Sequence, residues 1–212
     1  MRNSEIQQLR RRILPASFYA RPAELVAASL LGQILVKETE EGICAGRIVE
    51  TEAYLACGDD GCHAARGKTP RNSVMWEAPG TAYVYAIHTR CCLDAVAGAI
   101  NFPGAVLIRA LEPLLGIELM QKRRNRQRLE DLASGPGKLT QALGIDRDDN
   151  RSRLDGSPLY VAADRSRPER PVVVTSRIGL AEGHGEELLL RYYYSDSRCV
   201  LVKRMSHEKG EK

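Results

Sequence analysis

Glu50, Glu52 and Tyr54 stand two residues apart in the stretch Arg47-Ile48-Val49-Glu50-Thr51-Glu52-Ala53-Tyr54. Alternate side chains of a strand share a face, so this spacing predicts Ile48, Glu50, Glu52 and Tyr54 side by side. A carboxylate poised beside an aromatic wall is a way to build a general base next to a stacking surface. The same alternation also fits the solvated face of an antiparallel sheet. Thr81-Ala82-Tyr83-Val84-Tyr85-Ala86-Ile87 repeats the pattern, with Tyr83, Tyr85 and Ile87 on one face. Aromatic residues are only 5% of the chain, so tyrosines gathered in two strands could line a pocket for a flat ring, or pack a core. Spacing alone leaves both readings open.

Cations are gathered elsewhere. Lys122, Arg123, Arg124, Arg126 and Arg128 make five of the eight residues 121–128, more than a helix C-terminus needs, and a polyanion contact is the second reading. Gly135-Pro136-Gly137-Lys138 could hold a phosphate on backbone N–H groups at a helix start. It is not a Walker A loop, because Leu139 follows the lysine, and a nucleotide triphosphatase is therefore not expected. The six cysteines (Cys44, Cys57, Cys62, Cys91, Cys92, Cys199) include no Cys-x-x-Cys pair, and reduced thiols are the expectation. Cys57, Cys62 and His63 are too loosely spaced to assign zinc. His184-Gly185-Glu186 supplies half of a zinc deaminase motif, but the Pro-Cys-x-x-Cys half does not follow.

The elements that must position these groups follow from punctuation and period. Helices are predicted from Ser4 through a capping box, over Pro22–Leu31, over Pro113–Arg128 and from Gly135 to Leu143. Strands are predicted over Gln33–Val36, Ile43–Leu55, Thr81–Ile87, Gly104–Ala110, Leu159–Ala162, Val172–Ile178, Leu188–Tyr194 and Val200–Val202, with a long functional loop over 56–80. The chain has 212 residues, 43% of them hydrophobic, with 31 Lys and Arg against 27 Asp and Glu, for a net charge of +4. That is ordinary globular composition, long enough for one sizeable core. No apolar run approaches the roughly 18 residues of a membrane span, and no secretion signal is expected at the N-terminus.

Several of these stretches occur in a telling order. They are Gly46-Arg47-Ile48-Val49-Glu50-Thr51-Glu52-Ala53-Tyr54, then His63, Thr69-Pro70-Arg71-Asn72, Pro79-Gly80-Thr81-Ala82-Tyr83-Val84-Tyr85, Ile108-Arg109-Ala110-Leu111-Glu112-Pro113 and Ser134-Gly135-Pro136-Gly137-Lys138-Leu139-Thr140-Gln141-Ala142-Leu143. Over about residues 24 to 203 the chain resembles the alkyladenine (3-methyladenine) DNA glycosylase family in its bacterial form. The resemblance implies a mixed α+β fold, one domain over 1–212 with a curved antiparallel sheet surrounded by helices. It implies a flexible basic segment at 1–13 and a disordered tail at 204–212. It further implies a monofunctional hydrolase that flips a damaged purine (3-methyladenine, hypoxanthine or ethenoadenine) out of duplex DNA and cleaves its bond to the sugar. No metal or organic cofactor is expected, and the implied setting is a cytoplasmic, nucleoid-associated monomer that acts on double-stranded DNA and not on membranes.

By the same resemblance Glu52 is the general base that activates water, while Tyr54, His63 and Tyr85 enclose the flipped base. Arg109 is assigned a backbone or phosphate contact, and Lys138 lies in a turn facing DNA. Two positions depart from the family pattern. The wedge tyrosine that fills the vacated gap in the duplex is His88 here, a smaller and more polar side chain. The pocket-wall asparagine falls on Asp94 or Ala95, according to a one-residue gap. An aspartate there would add negative charge near Glu52, accept rather than donate hydrogen bonds, and favour cationic lesions. The competing expectations are a lesion-binding protein without turnover and a nucleic-acid-binding module resting on residues 122–128, both of which predict binding without product.

Overall fold

A computed structural model of the chain describes residues 3–166 and 169–201. Helices α1 (Asn3–Arg10), α2 (Ala16–Tyr19) and α3 (Ala23–Leu30) precede a hairpin of β1 (Ile34–Thr39) and β2 (Gly42–Tyr54). A long irregular stretch, broken by a short 3-10 helix at Ser73–Trp76, leads to β3 (Ala82–Ile87), β4 (Arg90–Ala97) and β5 (Gly104–Leu115). Then come α4 (Ile117–Arg124), α5 (Leu129–Leu132), α6 (Pro136–Leu143), β6 (Asp155–Gly156), β7 (Leu159–Ala162), β8 (Val172–Thr175) and β9 (Arg191–Tyr194). The strands form one antiparallel sheet in the order β3-β4-β5-β2-β1-β7-β6, curled into a half-barrel within a single domain. β2 is long enough to carry β1 on its first half and β9 on its second, while β5 runs along its other edge.

The alternation along each strand divides the sheet into two faces. Thr51, Ala53, Val84, Leu93, Ala95, Val106 and Ile108 turn toward α3 and α6, whose Val26, Ala27, Leu30, Leu139, Ala142 and Leu143 complete the main core. The Thr51 hydroxyl donates to the Ala27 carbonyl, which ties α3 to β2 at 3.0 Å. The opposite face carries Tyr83, Tyr85, Cys92, Val96, Ala105 and Leu107, with Tyr54 against them. It is the face of Glu52, and Cys62, Ala64, Val74 and Met75 of the irregular stretch before β3, with its 3-10 helix, pack over part of it.

Several expected boundaries move. The helix expected from Pro113 starts at Ile117, because β5 continues to Leu115. Beyond Leu107, β5 leaves β4 and meets the Ala133–Ser134 segment, and Pro113 sits opposite Gly46 at a register shift, where a missing N–H is tolerated. β4 was not expected: Cys91, Cys92, Asp94, Ala95 and Ala97 are weak strand formers, and pairing on both sides overrides that weakness. Ile48 does not share the face of Glu52. A β-bulge at Ile48/Glu50 breaks the alternation, and the adjacent Ile48 and Val49 both enter the main core. Val200 and Leu201 are not strand, Val202 and the expected tail at 204–212 lie outside the described residues, and α1 is joined to β1 by Arg10 and Glu38. Among the described residues no helix is long and apolar enough to cross a membrane.

Gly116 makes the junction from β5 into α4 at φ 71°, a left-handed conformation. A Cβ there would press on the Ile43 carbonyl oxygen and come within 2.8 Å of the Cys44 sulfur. Gly116→Ala is expected to cost about 1–3 kcal/mol, read as a lower denaturant midpoint with an unchanged slope.

Candidate active site

One row of paired residues crosses five strands: Arg191 on β9, Glu52 on β2, Leu107 on β5, Asp94 on β4 and Tyr83 on β3. Residues paired across antiparallel strands project to the same side, so two carboxyls face the same hollow, two strand spacings or about 10 Å apart at the backbone. Glu52 is fully buried. Its Oε1 accepts from the Ile178 N–H at 2.8 Å, and its Oε2 accepts from the Tyr54 hydroxyl at 3.0 Å and from Arg109 Nη1 at 3.1 Å. Burial pushes the Glu52 carboxyl up, with the Glu50 charge adding to it, and Arg109, the Ile178 amide and Tyr54 offset only part of that rise.

Arg109 reaches this position through a bulge. Ile108 pairs with Thr51 and Ala110 with Glu50, so Arg109 is the extra residue between them. Its Nε donates to Glu50 Oε1 at 3.1 Å, and Glu50 also accepts from Arg191 Nε at 2.6 Å. Two carboxylates and two guanidiniums thus form a closed, charge-balanced cluster in the sheet, the arrangement that makes buried charge tolerable.

Tyr54, Arg109 and Ile178, the three partners of Glu52, all line a cavity of about 380 Å³ that also includes His63, Tyr85, Ile87 and Asp94. Glu52 lies directly behind that wall. The His63 and Tyr85 rings meet edge to face at 4.7 Å, and His63 Nδ1 is 3.1 Å from the Tyr83 hydroxyl. Burial pushes the His63 imidazole down, and nearby Arg71 adds to this, so the ring is neutral at pH 7. Asn72 holds this segment by donating to the His63 and Gly67 carbonyls. Arg177 and Asp59, both without exposed side-chain surface, close a bidentate pair at 2.6 and 2.7 Å. Arg177 also donates to the carbonyls of Ala53 and Gly185, and its guanidinium lies 4.7 Å over the Tyr54 ring.

Asp94 lines the cavity, whereas Ala95 packs in the main core. Burial pushes its carboxyl up to about 8, which reverses the charge expected of it: at neutral pH it is mostly protonated and can donate. His88 is exposed in the two-residue turn between β3 and β4, at φ 53°, outside the cavity. Lys138 lines a second cavity of about 470 Å³ with Arg90, Arg124 and the Gly135-Pro136-Gly137 turn. Arg109, Pro136 and Ile178 line both cavities, which therefore meet beside Glu52. Within the basic run Arg123 closes on Glu41 and Arg124 on the Leu132 carbonyl and Gln141, while Lys122, Arg126 and Arg128 are exposed. Among the described residues no three His, Cys, Asp or Glu side chains come together as metal ligands.

Residues 17–198 match the family described as methylpurine-DNA glycosylase. The chain belongs to that family. This makes it a DNA glycosylase, a hydrolase of N-glycosyl bonds that acts in DNA repair. Relatives provisionally named 3-methyladenine DNA glycosylase align along most of their length. One from Methanoculleus marisnigri is 48% identical over 88% of this chain and 97% of its own. One from Prosthecochloris aestuarii is 46% identical over 86% and 88%, and one from Bacillus subtilis is 40% identical over 88% and 95%.

Within this glycosylase, sequence reasoning missed Arg177, Asp59 and Ile178. Ile178 acts through its backbone, which no side-chain type announces. Arg177 did leave a signal, a lone cation at the end of the apolar run Val172-Val173-Val174-Thr175-Ser176. Removing one member of a buried pair strands the other charge. Arg177→Met is expected to lower unfolding free energy by about 3–5 kcal/mol, with Arg177→Lys in between, as measured by denaturant unfolding.

Proposed function

We propose that this glycosylase extrudes a damaged purine from duplex DNA into the 380 Å³ cavity and hydrolyses the bond between C1′ and the base with a water activated by Glu52. The observation that carries the reading is the buried carboxylate held by Tyr54, Arg109 and Ile178 where the aromatic cavity meets the basic one. Three donors hold Glu52 in one orientation, so a water admitted past the wall of Tyr54, Arg109 and Ile178 meets a fixed proton acceptor. Cleavage builds positive charge on the sugar, and the same carboxylate stabilises it.

Tyr54, His63 and Tyr85 are the base-stacking residues, contributing roughly 1–3 kcal/mol per base, comparable with the cost of extruding a nucleotide. Arg109 has a double role here: it orients Glu52 and contacts the sugar-phosphate beside the extruded nucleotide. Arg90, Arg124 and Lys138 give the second cavity the charge to follow the DNA backbone. His88, at the tip of the β3–β4 turn, enters the gap left in the duplex, with the exposed Ile87 beside it as an apolar shoulder. No step in this scheme calls on a metal, and 3-methyladenine, already cationic when in DNA, is the substrate it handles most readily.

Single-turnover release of 3-methyladenine from methylated duplex DNA, with EDTA present, tests the reading. Glu52→Gln is expected to lower the rate by about 10²–10⁴ while DNA binding persists. Equal release by the two proteins would remove Glu52 from the chemistry, and binding without release in both would replace the reading with a lesion-binding protein lacking turnover.

A further inference from the structure

The two carboxyls in the cross-strand row are unequally served. Glu52 has three donors, whereas Asp94 Oδ1, buried on the cavity wall, has no hydrogen-bond partner among the described residues, and the nearby Tyr85 hydroxyl is what favours its ionised form. An ionised carboxylate offers about four acceptor sites, and leaving them dry in an apolar wall is costly; a proton on Oδ1 relieves that cost and turns the atom into a donor. The inventory of donors therefore places the charge on Glu52 and the proton on Asp94.

We infer that Asp94 is the proton donor to the extruded purine, and that it extends this enzyme from cationic to neutral bases. The inference rests on the proposed function above. A neutral purine leaves poorly as an anion. In the step assigned here, the Asp94 O–H bond breaks and its proton goes to a ring nitrogen of the base. The C1′–N bond breaks with its electron pair passing to the base, and water adds to C1′ as its proton passes to Glu52. Base and abasic sugar leave neutral, Glu52 holds one proton and Asp94 lacks one, and exchange with solvent resets both. A cationic base needs no such proton.

The groups that face Asp94 fit a proton donor. Tyr83 and Tyr85 come from β3, Cys92 from β4, Glu52 and Tyr54 from β2, Arg109 from β5, and Cys62 and His63 from the 56–80 loop. Burial raises Asp94 most, the nearby Glu52 charge raises it further, and only the Tyr85 bond lowers it. An asparagine in its place keeps the shape and can donate an N–H, but has no proton to transfer.

The test is the pH profile of single-turnover release at limiting enzyme, which reports groups of the free protein. Duplexes carrying hypoxanthine, a neutral base, are compared with methylated DNA releasing 3-methyladenine. Wild type is expected to lose hypoxanthine release tenfold per pH unit above about pH 8, with no such limb for 3-methyladenine. Asp94→Asn is expected to lower hypoxanthine release by about 10²–10⁴, to reduce 3-methyladenine release far less, and to abolish the descending limb. A limb that persists in Asp94→Asn, or equal losses on both bases, would overturn the proton donor while leaving the glycosylase reading in place. Absence of any release by wild type would overturn that reading and the inference with it. Stability gives a second check that needs no turnover. The folded value lies above the ordinary carboxylate value, so Asp94 stabilises the fold at low pH and loses that contribution as pH rises toward about 8. Wild type should therefore lose Tm relative to Asp94→Asn across that window, and parallel Tm profiles would refute a protonated Asp94.

Discussion

A carboxylate in an apolar sheet needs more donors than its own strand can supply, and Glu52 shows how much structure that requires. Its partners come from β2 (Tyr54), from a bulge in β5 (Arg109) and from the backbone after β8 (Ile178). Arg109 is itself shared with Glu50, and Glu50 is held by Arg191 on β9. The assembly of the half-barrel is thus coupled to the neutralisation of one buried charge. A strand that slipped by one residue would leave that charge unpaired and also turn Leu107 and Tyr83 into the helix-side core.

The sheet separates two tasks that compete in most small domains. One face is sealed by α3 and α6 and supplies stability through close-packed aliphatic contacts. The other is covered in part by the irregular stretch with the Ser73–Trp76 turn, and its aromatic rings and carboxyls surround a hollow. Because side chains alternate, each strand serves both tasks: Ala53 and Glu52, Val84 and Tyr83, Leu93 and Asp94 are neighbours in sequence that point to opposite sides.

Much of this was legible in the order of residues. The alternation of Glu50, Glu52 and Tyr54, and of Tyr83, Tyr85 and Ile87, located the faces that meet at the cavity, and the Gly135-Pro136 helix start appeared where expected. What was not legible depended on partners distant in the chain. β4 is strand because β3 and β5 flank it, not because Cys91, Cys92 and Asp94 favour strand. The bulge that aims Arg109 is a mismatch between two strands and has no signature in either. The charge state of Asp94 depends on how many donors surround it, which spacing does not reveal. The cations of 121–128 read as a polyanion site in sequence, yet Arg123 closes its charge on Glu41, a neighbour that only the folded chain brings near.

The Arg177–Asp59 clamp has a consequence for how the enzyme discriminates. One guanidinium joins the 56–66 loop, the carbonyl next to Glu52 and the carbonyl of Gly185. These segments therefore move as a unit or not at all. On the proposed reading, a base with a bulky substituent would meet a wall whose Tyr54 and Gly61 are backed by a desolvated ion pair, and misfit would be borne by the ligand rather than absorbed by the protein. Selection by size in such a hollow is the work of a rigid sieve, and the hydrogen-bonding atoms deeper inside choose only among molecules that have already passed it.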